Sequence, residues 1–145
     1  MALAVLDANL LLYAFNPHDP SHAAVAAWSE KLIDSQQVVA IPMLAIAALI
    51  RVSTNPRLDR IPERMQEVLR FVERLLALPN VRILHTDQAH WVELKRVLES
   101  GVHGPTAIDA PFAALALQHD GTFHSTDKHF RRFPRLRWQN PLEER

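Results

Sequence analysis

Cysteine is absent from the 145 residues, which excludes disulfides and thiolate metal sites outright. Its absence agrees with a reducing compartment. Net charge is missing too. The 16 Lys and Arg balance the 16 Asp and Glu, so no global basic field draws the chain to nucleic acid. No apolar run approaches the roughly 20 residues that a membrane helix needs. The first residues carry no basic segment, and the apolar stretch there is broken by Asp7 and Asn9, unlike a secretory leader. A soluble, cytoplasmic protein without membrane association is expected. Internal repeats, low-complexity tracts and long linkers are also lacking. With 48% hydrophobic residues, residues 1–145 are read as one domain with a real core.

What is present alternates between two periods. Leu3–Leu6 is a short apolar run ending at Asp7, which signals a buried strand. Asn16–His22, "NPHDPSH", is turn chemistry, with Asp19 and Ser21 as possible helix caps. Apolar residues at helical spacing then predict an amphipathic helix over His22–Ile33. Val38–Ile41 reads as a second strand. Pro42 is expected to open "PMLAIAALIRV", apolar nearly all round and so a buried helix. Ile61–Leu78 is a long amphipathic helix and Val81–Leu84 a third strand. "TDQAHWVELKRVLESG" is a helix capped by Thr86 or Asp87 and stopped by Gly101. Asp109–Gly121 is a further capped apolar helix, and Thr122–His124 leads the last strand. Strands alternating with helices predict an α/β fold with a mostly parallel central sheet.

On that skeleton Asp7 follows the first strand, Asp127 follows the last, and Asp109 opens the helix before it. Ligands of open parallel sheets bind beyond the carboxyl ends of the strands. Each acid has a structural explanation of its own. Asp109 can serve as a helix cap, Asp127 as a cap or turn residue in "STDK", and Asp7 as an acceptor from loop amides. Three at one end of a sheet are different, because their repulsion calls for a cation. Carboxylates without His or Cys ligands favour a hard ion, Mg2+ or Mn2+, which keeps waters and leaves room for a phosphate. That chemistry points to a nuclease or another phosphoryl-transfer enzyme.

These residues carry a resemblance. "LDANLLLYAF", "PHDPSHAAVAAW", "LIRVSTNPR" and "IDAPFAALALQHDGTFHSTDKHFRRFPRLRWQNPL", in that order and spacing, resemble PIN-domain ribonucleases of the VapC type, the toxins of bacterial toxin–antitoxin pairs. The resemblance implies a PIN-like parallel sheet flanked by helices on both faces. It further implies Mg2+-dependent RNA cleavage and inhibition by a small VapB-like antitoxin. It carries catalysis and metal binding to Asp7, Asp109 and Asp127, and makes Asn9, Ser125 and Thr126 polar supports for them. Two positions depart from the family pattern. The Glu expected on the helix after the second strand is replaced, with Ala47 or Ala48 nearest its place. The Asp often found two residues after Asp127 is His129.

A site working with three acids, a toxin disabled by substitution, and a natural pseudoenzyme are all open. The alanines around Ala47 and Ala48 favour the first. Histidine suits acid–base work near neutrality, so His129 is a candidate proton donor or phosphate contact. His18, His22 and His103 have weaker claims. Lys128, Arg131, Arg132 and Arg135, with Arg137, form a basic run after Asp127 that is expected to border the acidic pocket and hold RNA phosphates. The two helices opening at Pro42 and Ile61 carry apolar residues beyond what a small sheet obviously needs; these either belong to the core or form an antitoxin groove or homodimer face, and the resemblance implies both partners. Two other classes remain beside the endoribonuclease. One is a catalytically impaired module of the same fold that binds RNA or antitoxin without cleavage. The other is a phosphotransfer domain, for which no suitably placed Lys is evident and Asn9 stands where a phosphatase wants Asp.

Overall fold

A computed structural model describes residues 3–102 and 104–143; His103 lies outside them. Five strands form one sheet: β1 (Leu3–Leu6), β2 (Val38–Pro42), β3 (Val81–Leu84), β4 (Thr122–His124) and β5 (Arg137–Gln139). Their order is β3-β2-β1-β4-β5, and every neighbouring pair runs parallel. Six helices connect them: α1 (Ala8–Phe15), α2 (His22–Asp34), α3 (Met43–Ser53), α4 (Ile61–Leu76), α5 (Gln88–Glu99) and α6 (Ala110–Gln118). Two short 3-10 segments, Gly104–Ile108 and Lys128–Arg132, flank the carboxyl rim. Among the described residues no helix is long and apolar enough to cross a membrane.

The sheet is buried on both faces, as a parallel sheet must be. Alternation along the strands divides its side chains. Leu6, Val39 and Ile41 face a layer with Leu10 and Leu11 of α1, Val25 of α2, Leu49 of α3 and Val68 of α4. Val5, Ala40 and Phe123 face the opposite layer, with Val97 of α5, Ala113 and Ala116 of α6, and Phe130 and Phe133. The expected α/β architecture, with helices on both faces, is the one observed.

Several elements differ from expectation, α6 among them, which runs from Ala110 to Gln118 rather than from Asp109 to Gly121. Helix α1 follows β1 without a break, because Asp7 caps it by accepting the Ala8 N–H. Pro42 ends β2 rather than opening α3, pairing with Leu84 across the sheet. Helix α4 stops at Leu76, two residues early, where the Ala77 N–H returns to Glu73. Strand β5 was not anticipated: "RWQ" is three residues long at a sheet edge, with only Trp138 half-buried, and carries no apolar run.

Candidate metal and nucleic-acid site

Sheet register builds the site. Leu6 of β1 pairs with His124 of β4, so the next residues, Asp7 and Ser125, emerge side by side. The Asp7 N–H continues the ladder to the His124 carbonyl at 3.0 Å, and the Ser125 N–H reaches the Gln139 carbonyl at 3.1 Å. Trp138 adds an indole N–H to the Ser125 carbonyl at 3.0 Å. Strand β5 therefore locks Ser125 from behind.

The carboxylate of Asp7, 9% exposed, accepts two hydrogen bonds: Ala8 N–H to Oδ1 at 2.7 Å, and the Ser125 hydroxyl to Oδ2 at 2.6 Å. Having given its proton to Asp7, Ser125 Oγ can only accept from its other neighbours. It accepts from Asn9 Nδ2 at 3.2 Å and from the Asp127 N–H at 3.0 Å. Asn9 Nδ2 also donates to Thr126 Oγ1 at 3.0 Å. These bonds fix which way the amide points and leave Asn9 Oδ1 buried without a partner. The supporting roles of Asn9, Ser125 and Thr126 are thus one network around Asp7.

Asp127 caps the Lys128–Arg132 segment, its Oδ1 accepting the His129 N–H at 2.9 Å. His129 Nδ1 stands 2.8 Å from the same oxygen. Asp109 behaves otherwise. It occupies the N-cap position of α6, yet its side chain makes no capping bond: its backbone is already helical, at φ −84° and ψ −19°, and the Phe112 N–H turns to its carbonyl instead. The half-buried carboxylate is left to a cavity of about 520 Å³ that Thr106, His129 and Arg132 also line.

The acids sense one another. Burial above all, then repulsion from Asp109 and Asp127, raises the Asp7 carboxyl to about 6 against the pull of Ser125 and Ala8. Burial and the charge of Asp127 also raise Asp109, while His129 and Arg132 work the other way. Among the described residues no three His, Asp or Glu side chains make a ready cage for an ion. A Mg2+-like ion needs no such cage, since one or two carboxylates and several waters suffice. The donors fit a hard cation: oxygen atoms only, negative charge in excess, and an unpartnered amide oxygen at Asn9, whose amide nitrogen shares Ser125 Oγ with the buried carboxylate.

The basic run does not form one track. Arg131 lies over the Trp138 ring, 5.2 Å from its centre, and within 3.9 Å of Glu143. Arg135 pairs with Glu93 of α5 at 3.0 Å, and Arg137 with Asp120 at 3.0 Å. Lys128 is exposed at the rim. Only Arg132 of these cations lines the cavity with Asp109. His22 is occupied structurally, its Nδ1 2.8 Å from the Tyr13 carbonyl. On α3, Ala47 is exposed and Ala48 half-buried. Thr106 escaped sequence reasoning; its one signal was its place three residues before Asp109.

The chain matches the pattern of the PIN domain over residues 4–136. It is 33% identical over 139 residues to the VapC ribonuclease Mb2897 of Mycobacterium bovis, covering 95% of both chains. To ribonuclease VapC31 of Mycobacterium tuberculosis it is 32% identical over 138 residues, covering 94% of this chain and 97% of that one. Its fold is similar to a chain in the crystal structure of VapBC2 from Rickettsia felis bound to a DNA fragment from their promoter. There the TM-score is 0.69 at 17% identity, covering 95% of this chain and 98% of the other.

Proposed function

The chain belongs to the PIN-domain family, and from that membership and its acidic rim we propose that it is a Mg2+-dependent endoribonuclease, the toxin of a toxin–antitoxin pair. The observation that carries this reading is Asp109. Its carboxylate serves no helix cap, yet it lies within electrostatic reach of Asp7 and Asp127. Among the described residues it makes no ion pair closer than 4 Å, and it lines a cavity.

Asp7, Asp109 and the Asn9 amide oxygen would hold the ion, and Asp127 would bind it directly or through water. When bound, such an ion lowers the pKa of water and offsets charge building on a phosphodiester. The protein's own part is orientation. Ser125 and Ala8 fix both oxygens of Asp7, Asn9 ties Ser125 to Thr126, and His129 steadies Asp127. His129 also lines the cavity, where it can meet a phosphate or a leaving oxygen. The ribonuclease names of the relatives favour cleavage over a non-cleaving module.

The partners follow the same reading. A structural neighbour is a VapBC complex, which supports a VapB-like antitoxin. A groove between α1 and α4, lined by Phe15, Phe71, Leu75 and Leu78 with Arg70 and Arg74 at its edge, suits an amphipathic antitoxin helix. Exposed Met43 and Val52 of α3 and Leu69 of α4 support a homodimer, whose mass light scattering reads. The test of the enzyme is cleavage of total RNA by the purified chain. Cleavage should need Mg2+ or Mn2+, stop with EDTA, and fall about 100-fold or more in Asp7→Ala and Asp109→Ala. Metal-independent cleavage, or cleavage that survives both substitutions, contradicts the proposal.

A further inference from the structure

A second cavity, of about 650 Å³, lies between the end of α1, the end of α3 and the start of α4. It falls in the roughly 300–1,000 Å³ range of ligand pockets. None of its lining residues belongs to the acidic rim, and it adjoins the apolar groove of α1 and α4 at Phe15 and Glu67. Its charge has the opposite sign. Arg57, Arg60 and Arg64 line it, against Glu67 as the only acid among the described lining residues. Asp59 braces Arg64, its carbonyl accepting from Nε at 2.7 Å and its Oδ1 from Nη2 at 3.3 Å. Among the described residues no ion pair reaches the side chain of Arg57 or Arg60, whereas Arg96, Arg131, Arg135 and Arg137 each have one.

Two local features set this cavity apart from an ordinary surface dent. Arg60 holds a left-handed backbone, φ 53° and ψ 42°, at the start of α4. A residue with a Cβ is crowded there, and residues held in that region concentrate at ligand clamps and active sites. Ser53, at the end of α3, lines the same cavity and is 8% exposed, and its hydroxyl has no hydrogen-bond partner among the described residues. Guanidinium groups free of a carboxylate take phosphate oxygens in paired bonds. Phe15 and Leu58 supply an apolar wall for a base.

We propose that this cavity is a nucleotide-phosphate site separate from the acidic rim, with Arg57 and Arg60 on the phosphate and Arg64 braced beside them. The phosphate can come from a free nucleotide or from a strand of RNA. The site goes beyond the ribonuclease reading and does not depend on it.

The test titrates the full chain into mant-labelled ADP, read by fluorescence, and into a short, fluorescein-labelled, mixed-sequence RNA, read by anisotropy. EDTA is present throughout, so that no ion bridges phosphate to the acidic rim. At least one probe should bind. Arg57→Ala and Arg60→Gly should each weaken that binding about 10-fold, and Arg57→Lys should lose less. Arg82→Ala, exposed on β3, should match the wild type. Glycine takes the left-handed backbone without strain, so Arg60→Gly should show no lower thermal midpoint, which separates a lost contact from a lost fold. RNA that displaces mant-ADP makes a strand the source; mant-ADP that RNA does not displace makes a free nucleotide the source. Wild-type affinity in both Arg57→Ala and Arg60→Gly overturns the site. So does oligoglutamate that competes as well as ADP, which assigns the cavity to an acidic protein segment. A wild type that binds neither probe also overturns it, and RNA cleavage with Mg2+ is read independently, so the two readings fail separately.

Discussion

At Asp7 two sets of forces meet: burial and the neighbouring acids oppose its charge, while the Ser125 hydroxyl and the Ala8 N–H favour it, leaving its pKa at about 6. The unfolded value is 3.8, so the native state binds the proton more tightly than the unfolded chain does. The stability this adds is full below pH 3.8 and is lost as pH rises through about 6. Asp7→Asn, neutral at every pH, should therefore remove that slope and stabilise the protein at pH 7 by about 1–2 kcal/mol. Urea unfolding at pH 4 and pH 7 measures it, and a variant less stable at pH 7 contradicts the stated balance. The same substitution should abolish cleavage, separating stability from activity. Ser125→Ala removes a bond that favours the charged form, so it should move the acid limb of the pH–rate profile to higher pH. An unmoved limb would show that the hydroxyl does not tune Asp7.

Elements set how close these residues come. Between α6 and β4 the chain passes β1 so tightly that a Cβ on Gly121 would lie 2.9 Å from Val5 Cγ2 and 3.0 Å from the Leu3 carbonyl. A backbone carbonyl cannot swing aside, so Gly121→Ala should cost about 1–3 kcal/mol in denaturant unfolding. An unchanged midpoint would refute the close approach. Helix α3 divides between its faces. Leu49 is wholly buried in the core, and Leu49→Ala should cost about 2–5 kcal/mol. Ala47 is exposed, so Ala47→Glu should change stability by less than about 0.5 kcal/mol. Either result reversed would mean the helix is rotated from its described position. Strands β1 and β2 were legible because a strand covered on both faces must be apolar. Helix α1 was not, since "NLLLYAF" is apolar without a helical gap and its start depends on the Asp7 cap. Edge strand β5 was hidden by its polar ends, although it anchors Ser125. In the site, the sequence placed three acids at one rim; that Asp109 caps nothing depends on the geometry of the first turn of α6.

Over the whole molecule charge sums to zero, so affinity for RNA must come from local groups. The basic run after Asp127 looked like one patch because five cations are close in sequence. Folding sends them to different neighbours, Arg131 to Trp138 and Glu143, Arg135 to Glu93, Arg137 to Asp120, and only Arg132 to the acidic cavity. Negative charge at the rim is likewise local, concentrated in Asp7, Asp109 and Asp127, and a divalent cation is the counter-charge that the account requires. The most direct measurement is Mn2+ binding to wild type and Asp109→Asn, followed by the loss of free-ion paramagnetic resonance. Because the Asp109 side chain makes no capping bond, and burial and the charge of Asp127 oppose its ionised form, its replacement should not lower the thermal midpoint. Wild type should bind Mn2+, and Asp109→Asn, equally folded, should bind it about 10-fold or more weakly. Equal binding by the two proteins, or none by the wild type, would contradict it.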